Sequence, residues 1–215
     1  MDVAEVAADL VAEQQALDEV VADLDAEAWS RATPSPRWTV ADQVAHLTYF
    51  DEAAATAIVD PDHFRAMIDD LMGVAGGGDG AVDEFTLGRR RDLGPAGLLD
   101  AWRAGRGRLA EAAATLATAT RVIWYGPSMG AKSFLTARLM EAWAHGQDVV
   151  DTVGGHRPAT GRLRHIAQLG VITRQWSYIN RHLDAPEGEV RVELDGPSGA
   201  LWNWGTEGVD DLVRG

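Results

Sequence analysis

The sequence predicts a mainly α-helical fold: a four-helix bundle with a cross-over connection, followed by one more helix and a short β-hairpin. Three observations carry this. Four long segments repeat apolar residues at helical spacing. A stretch broken by proline and glycine separates the second segment from the third, which suits a long connection between bundle helices. Beyond residue 183 the apolar period changes from helical to two, as in strands.

The first helix covers residues 3–24 through Val3, Val6, Leu10, Val11, Leu17, Val20, Val21 and Leu24. Residues 25–37, with Trp29, Pro34 and Pro36, read as a connecting loop. Thr39 with Asp42 is a capping-box-like start for a second helix running to about Val59. A short helix is expected over 62–72, and Gly76–Gly80 reads as a flexible loop placed over the site. Pro95 suits a first helical position, and the third long helix continues to about Ala119. Trp124 to Pro127 reads as a loop. The fourth helix runs from Ala131 to Val153 and stops at Gly154-Gly155. A further helix fits 161–183. The alternating runs from Glu189 and from Ala200 flank Gly196-Pro197-Ser198-Gly199 as a hairpin, with Trp202 and Trp204 on one face to anchor it to the bundle. The expected division is a bundle over 1–155 and a helix plus hairpin over 156–215.

A chain of 215 residues with 46% hydrophobic composition supports a sizeable core. Its net charge of −14 repels phosphate backbones and anionic lipid, so neither nucleic acid nor membrane is an expected partner. With no cysteine, the chain forms no disulfide, thiolate metal ligand or thiol nucleophile of its own. The acidic start MDVAEVAADL lacks the features of a signal peptide, and a cytoplasmic location is expected.

The chemistry concentrates on the fourth helix. Glu141 and His145, four residues apart, leave the same helix face one turn apart. Arg138 and Asp148 extend that polar stripe, while Phe134, Leu135, Leu139, Met140, Trp143, Val149 and Val150 supply apolar flanks. A Glu/His pair at this spacing also reads as a solvated pair worth about 0.2–0.5 kcal/mol. Burying four ionisable groups without a cation or a wet cavity would be costly, which favours a metal site. His46 on the second helix is the best candidate for a third ligand, although a lone helical histidine also reads as a hydrogen-bonded core or boundary residue. Two histidines and one carboxylate with an open position suit catalytic zinc, and the same donors suit nickel, iron or manganese.

These residues carry a resemblance. The runs Trp38–Leu47 (WTVADQVAHL) and Arg138–Asp148 (RLMEAWAHGQD) are similar to the DinB/YfiT-like metal-binding four-helix bundles, and more narrowly to the mycothiol-dependent maleylpyruvate isomerase group. The likeness covers roughly residues 5–155, and Arg162–Ile166 and Trp202–Gly205 look like its continuation in one subgroup. It implies metal ligands at His46, Glu141 and His145. Members of the group continue past the hairpin into further strands and a helix, so residues 156–215 read as an incomplete version of that part.

The expected function is a divalent-metal protein, with zinc first. It would activate a low-molecular-weight thiol of the mycothiol type as co-substrate, for S-transfer to a small electrophile or for its isomerisation. Asp42 and Asp148, each within one turn of a ligand histidine, are expected to orient the imidazoles. Arg138 is expected to take a substrate carboxylate, or else to form a helix salt bridge to Glu141 or Asp42. Two alternatives stay open: a hydrolase or lyase using metal-bound water, and a non-catalytic metal-binding interaction module. A homodimer is the expected assembly. His63, His156, His165 and His182 are expected to be surface or structural residues.

Overall fold

The computed structural model of the chain describes residues 2–206 and 211–215. It divides into two compact units, Met1–Arg157 and Pro158–Gly215. The first unit begins with α1, Val3–Val21, started by a capping box in which Asp2 and Glu5 satisfy each other's backbone N–H groups. A single short turn, α2 (Ala26–Trp29), buries Trp29 inside the stretch expected to be a loop. The second long helix, α3 (Val40–Val59), starts as its sequence indicates: Thr39 Oγ1 accepts from Asp42 N, and Asp42 Oδ2 accepts from Thr39 N at 3.0 Å.

The cross-over holds more structure than expected. Pro61–Ala75 forms α4, and Asp79–Arg91 forms α5. Gly78, at φ 79°, is the N-cap of α5, so the glycine run ends in a helix start instead of forming a free loop over the site. Both helices pack against α3. Gly94–Ala113 forms α6, shorter than the predicted helix, with Thr115 Oγ1 bonded to Ala112 O just past its end. A two-residue ladder, β1 (Arg121–Val122) with β2 (Met129–Gly130), flanks the Trp124–Pro127 loop. Ala131–Val153 forms α7, closed by Gly154 at φ 70°.

In the bundle α3 packs on both α6 and α7, and α1 packs on α7 and α6. Leu17, Val21, Trp29, Val40, Val44, Leu47, Leu98, Trp102 and Val149 make one continuous core between these helices. Among the described residues no helix is long and apolar enough to cross a membrane.

In the second unit the predicted single helix is two, α8 (Leu163–Ile172) and α9 (Arg174–Asn180). They break at Thr173, whose hydroxyl and amide both bond to Leu169 O. Such back-bonding by a β-branched hydroxyl residue competes with helix continuation. Val190–Asp195 (β3) pairs antiparallel with Leu201–Trp204 (β4), as the alternation indicates, and parallel with Asp211–Arg214 (β5), a strand too short and charged to be legible. Trp204 Nε1 donates to Gln168 Oε1 at 2.6 Å and its ring lies under Arg164, so α8 holds this tryptophan. At Gly196 a Cβ would fall 2.5 Å from the Trp202 ring, which explains a glycine there.

Candidate metal centre

Packing of α3 against α7 brings His46, Glu141 and His145 together, although 95 residues separate the first two in sequence. One donor atom from each lies within 4.8 Å of the others. His46 Nε2 is 3.2 Å and His145 Nε2 3.1 Å from the same oxygen, Glu141 Oε2. All three side chains are partly exposed, so the cluster opens to solvent.

A second set of side chains fixes the imidazole of His145. Its Nδ1 lies 2.5 Å from Gln43 Oε1. Gln43 Nε2 donates to Asp148 Oδ2 at 2.9 Å and to Thr33 Oγ1 at 2.9 Å. Ser35 Oγ donates to the same Asp148 oxygen at 2.6 Å. The carboxylate of Asp148 demands the amide nitrogen of Gln43, so the amide oxygen must face His145 and accept from Nδ1–H. The lone pair of Nε2 is then aimed at the cluster, the tautomer a metal ligand needs. A lone pair set 3.1 Å from a carboxylate oxygen is repulsive unless a proton or a cation lies between them. The donor set therefore fits a divalent cation.

Asp148 thus acts on His145 through Gln43, while Asp42 is engaged elsewhere. Its oxygens accept from Thr39 and from Arg91 Nε at 2.7 Å, which ties α5 to the start of α3. No hydrogen bond among the described residues joins Asp42 to His46. The helix cap and the arginine claim this carboxylate, and it does not orient the imidazole as expected.

Arg138 is also placed differently. Its side chain is 5% exposed, and Nη2 lies 3.8 Å from Glu141 Oε1. Its guanidinium lies 4.8 Å from the Trp124 ring centre and 5.9 Å from that of Phe50. Covered by these rings, it has Glu141 as its anionic neighbour, the salt-bridge alternative, and not open space for an external carboxylate. The same aromatic wall continues over the histidines. Trp38 lies 5.0 Å from His46 and 5.7 Å from His145, and Phe50 lies 4.5 Å from His46, between ring centres. The turn that presents Trp38 closes through Thr33 N to Trp38 O at 2.8 Å, with Arg37 at φ 72°.

Burial raises the pKa of Glu141, but its contacts with His145 and His46 and the charge of Arg138 outweigh it and hold the carboxyl well below its ordinary range. Burial lowers the pKa of His46, against its bond to Glu141. Both effects favour an anionic Glu141 beside a neutral His46, the protonation states of ligands.

Behind the cluster Asp51 is buried, accepting from Gln14 Nε2 at 2.9 Å and Trp102 Nε1 at 3.2 Å. Burial pushes its carboxyl up to about 7, against the attraction of Arg138 and these two hydrogen bonds. A raised carboxyl contributes stability below its unfolded value of about 4 and loses it as pH rises through about 7. His46 has the opposite sign, its contribution falling as pH drops below about 6.5. Comparison with Asp51→Asn isolates the carboxyl, because the amide oxygen can accept both bonds. The variant's stability advantage is expected to grow between pH 5 and pH 8 by about 1 kcal/mol or more, read from urea unfolding at each pH. A constant difference would refute the assignment.

The sequence of residues 10–150 matches the family described as the mycothiol maleylpyruvate isomerase N-terminal domain. The chain belongs to that family. The matched span contains His46, Glu141 and His145, along with Gln43, Arg138 and Asp148. Two uncharacterized proteins, from two strains of Mycobacterium tuberculosis, are each 44% identical to it over 208 residues, covering 97% of this chain and 79% of their own length. Two solved structures share its fold: the mycothiol-dependent maleylpyruvate isomerase and a histidine-to-alanine variant of it. Each has a TM-score of 0.64 at 16% identity, over 100% of this chain and 85% of the other. The resemblance carried by the Trp38–Leu47 and Arg138–Asp148 runs, and the helical bundle it implies, agree with this membership.

Sequence reasoning did not single out Gln43, Ser35, Thr33 or Trp38 as parts of this family member's site. Gln43 stands three residues before His46, one helical turn away, and that spacing was the available signal.

Proposed function

We propose that the chain binds one divalent metal ion, zinc first, through His46 Nε2, His145 Nε2 and a Glu141 oxygen, and uses it to activate a low-molecular-weight thiol. The observation that carries this reading is the pair of imidazole nitrogens converging on Glu141 Oε2, with the tautomer of His145 set by Gln43. Family membership supports the thiol as co-substrate, since the family description and the solved structures of the same fold name mycothiol. The absence of cysteine requires the sulfur to come from outside.

A divalent cation bound there supplies the Lewis acidity that converts a thiol to its thiolate near neutral pH. The residues do the rest. Gln43 and Asp148 hold His145 in one orientation, Arg138 sets its charge beside Glu141, and Trp38 and Phe50 pack against the histidine rings. The thiol gives up its proton to solvent at the open side of the cluster, and a sulfur lone pair forms a bond to an electrophilic carbon of a small molecule. In S-transfer a leaving group departs with its bonding pair. In isomerisation the thiolate adds to a C=C bond conjugated to a carbonyl, whose oxygen takes up the displaced electron pair as an enolate. Rotation follows about the resulting single bond, and collapse of the enolate re-forms the C=C bond and expels the thiolate with the C–S pair.

The test is turnover of zinc-loaded protein with maleylpyruvate, or with an activated electrophile, in the presence of mycothiol, glutathione or cysteine. Turnover that requires both metal and thiol is the expected result. Hydrolysis of activated esters at the same rate without thiol would contradict this reading and favour metal-bound water.

A further inference from the structure

We propose that Arg138 restricts Glu141 to one-oxygen ligation and so keeps a coordination position free for an incoming small molecule. This assignment rests on the metal reading above. The two carboxylate oxygens have different surroundings. Oε2 faces both imidazole nitrogens at 3.2 and 3.1 Å, while Oε1 faces Arg138 Nη2 at 3.8 Å.

Arg138 is suited to hold that oxygen. It lies one turn before Glu141 on α7, so the helix backbone sets their separation. Its guanidinium keeps its charge, because an arginine does not deprotonate in a protein. Contacts with Trp124 and Phe50 limit its freedom to turn away. Among the described residues Arg138 Nε is buried with no hydrogen-bond partner. A buried donor left unsatisfied costs free energy, so the side chain is poorly explained as a packing or stability element. Its charge is instead directed at Glu141, and the buried Asp51 carboxyl also feels it. With Oε1 engaged by a cation, the carboxylate offers Oε2 alone. Without Arg138, both oxygens are free to chelate and fill the position that a thiol requires.

The experiment uses the full chain loaded with Co2+, whose visible absorption weakens as coordination number rises, and 2-mercaptoethanol as the thiol probe. The wild-type protein is expected to show an intense visible band and a near-ultraviolet sulfur-to-cobalt band on adding thiol. Arg138→Met keeps much of the apolar stem but removes charge and donors. It is expected to retain cobalt, show a weaker visible band, and bind the thiol on the order of tenfold more weakly. Arg138→Met with wild-type spectrum and thiol affinity overturns the role of Arg138 while leaving the metal site standing. Wild-type protein that takes up no cobalt overturns the metal reading and this assignment with it. Should Arg138→Met not fold, a crystal structure of the zinc-loaded wild type decides. Ligation through Oε2 alone, with Oε1 facing Arg138, supports the proposal, and two-oxygen ligation overturns it.

Discussion

Replacing Trp102 by alanine is expected to cost about 3–5 kcal/mol of folding stability. The side chain is fully buried at the centre of the bundle core, among Leu98, Leu99 and Val44. Its Nε1 donates to Asp51, and the Arg106 guanidinium lies 4.9 Å from its ring centre. The substitution therefore opens a large cavity and removes one of the two donors that support a buried carboxyl. Trp102→Phe restores most of the volume without the donor, and its smaller cost, about 1–3 kcal/mol, measures the lost hydrogen bond. Urea unfolding of both variants checks this. A cost below about 1 kcal/mol for the alanine variant would mean that the core closes around the gap, and the packing account would fail.

The second large effect is expected at Gln43. Gln43→Leu preserves approximate volume but deletes the acceptor for His145 Nδ1 and the donor to Asp148 and Thr33. The imidazole then loses its fixed tautomer and orientation. Metal affinity is expected to fall by about 10- to 100-fold, read by calorimetric titration with Zn2+, while the far-ultraviolet dichroism stays unchanged. Asp42→Asn is a useful contrast. Because that carboxylate serves the helix cap and Arg91, its change is expected to lower stability and leave metal affinity within about twofold. Equal losses of affinity in the two variants would show that Gln43 has no special hold on the site.

These two residues also show what could be read from the sequence. The juxtaposition of Glu141 and His145 was legible because helical spacing places them on one face, whereas His46 joined them through the family likeness of the Trp38–Leu47 run; the structure brings the three together. Asp42 was selected because it lies within one turn of His46, yet the same residue also read as a helix cap, and the cap and Arg91 take its oxygens. Gln43 carries no charge, and although it stands one turn before His46, the imidazole it orients is that of His145, so its role depends on how α3 meets α7. The helix α5 was missed because Gly80 and Gly88 interrupt it, and only Thr86 and Leu87 are buried along it. Its stabilising contacts are long-range, with Arg90 paired to Glu52 and Arg91 to Asp42. The split between α8 and α9 turns on a single hydroxyl, Thr173, inside an otherwise continuous helical pattern. Long amphipathic segments survive such local competition, and short ones depend on their tertiary neighbours.

Everything proposed for the chemistry depends on a cation held by side chains of α3 and α7. The most direct measurement is elemental analysis of protein purified without an affinity metal column, together with His46→Ala and His145→Ala. The account predicts close to one divalent ion per chain in the wild type and its loss from both variants, with helical content unchanged. Stoichiometric metal retained in both variants, or a wild type that cannot be loaded, would contradict it.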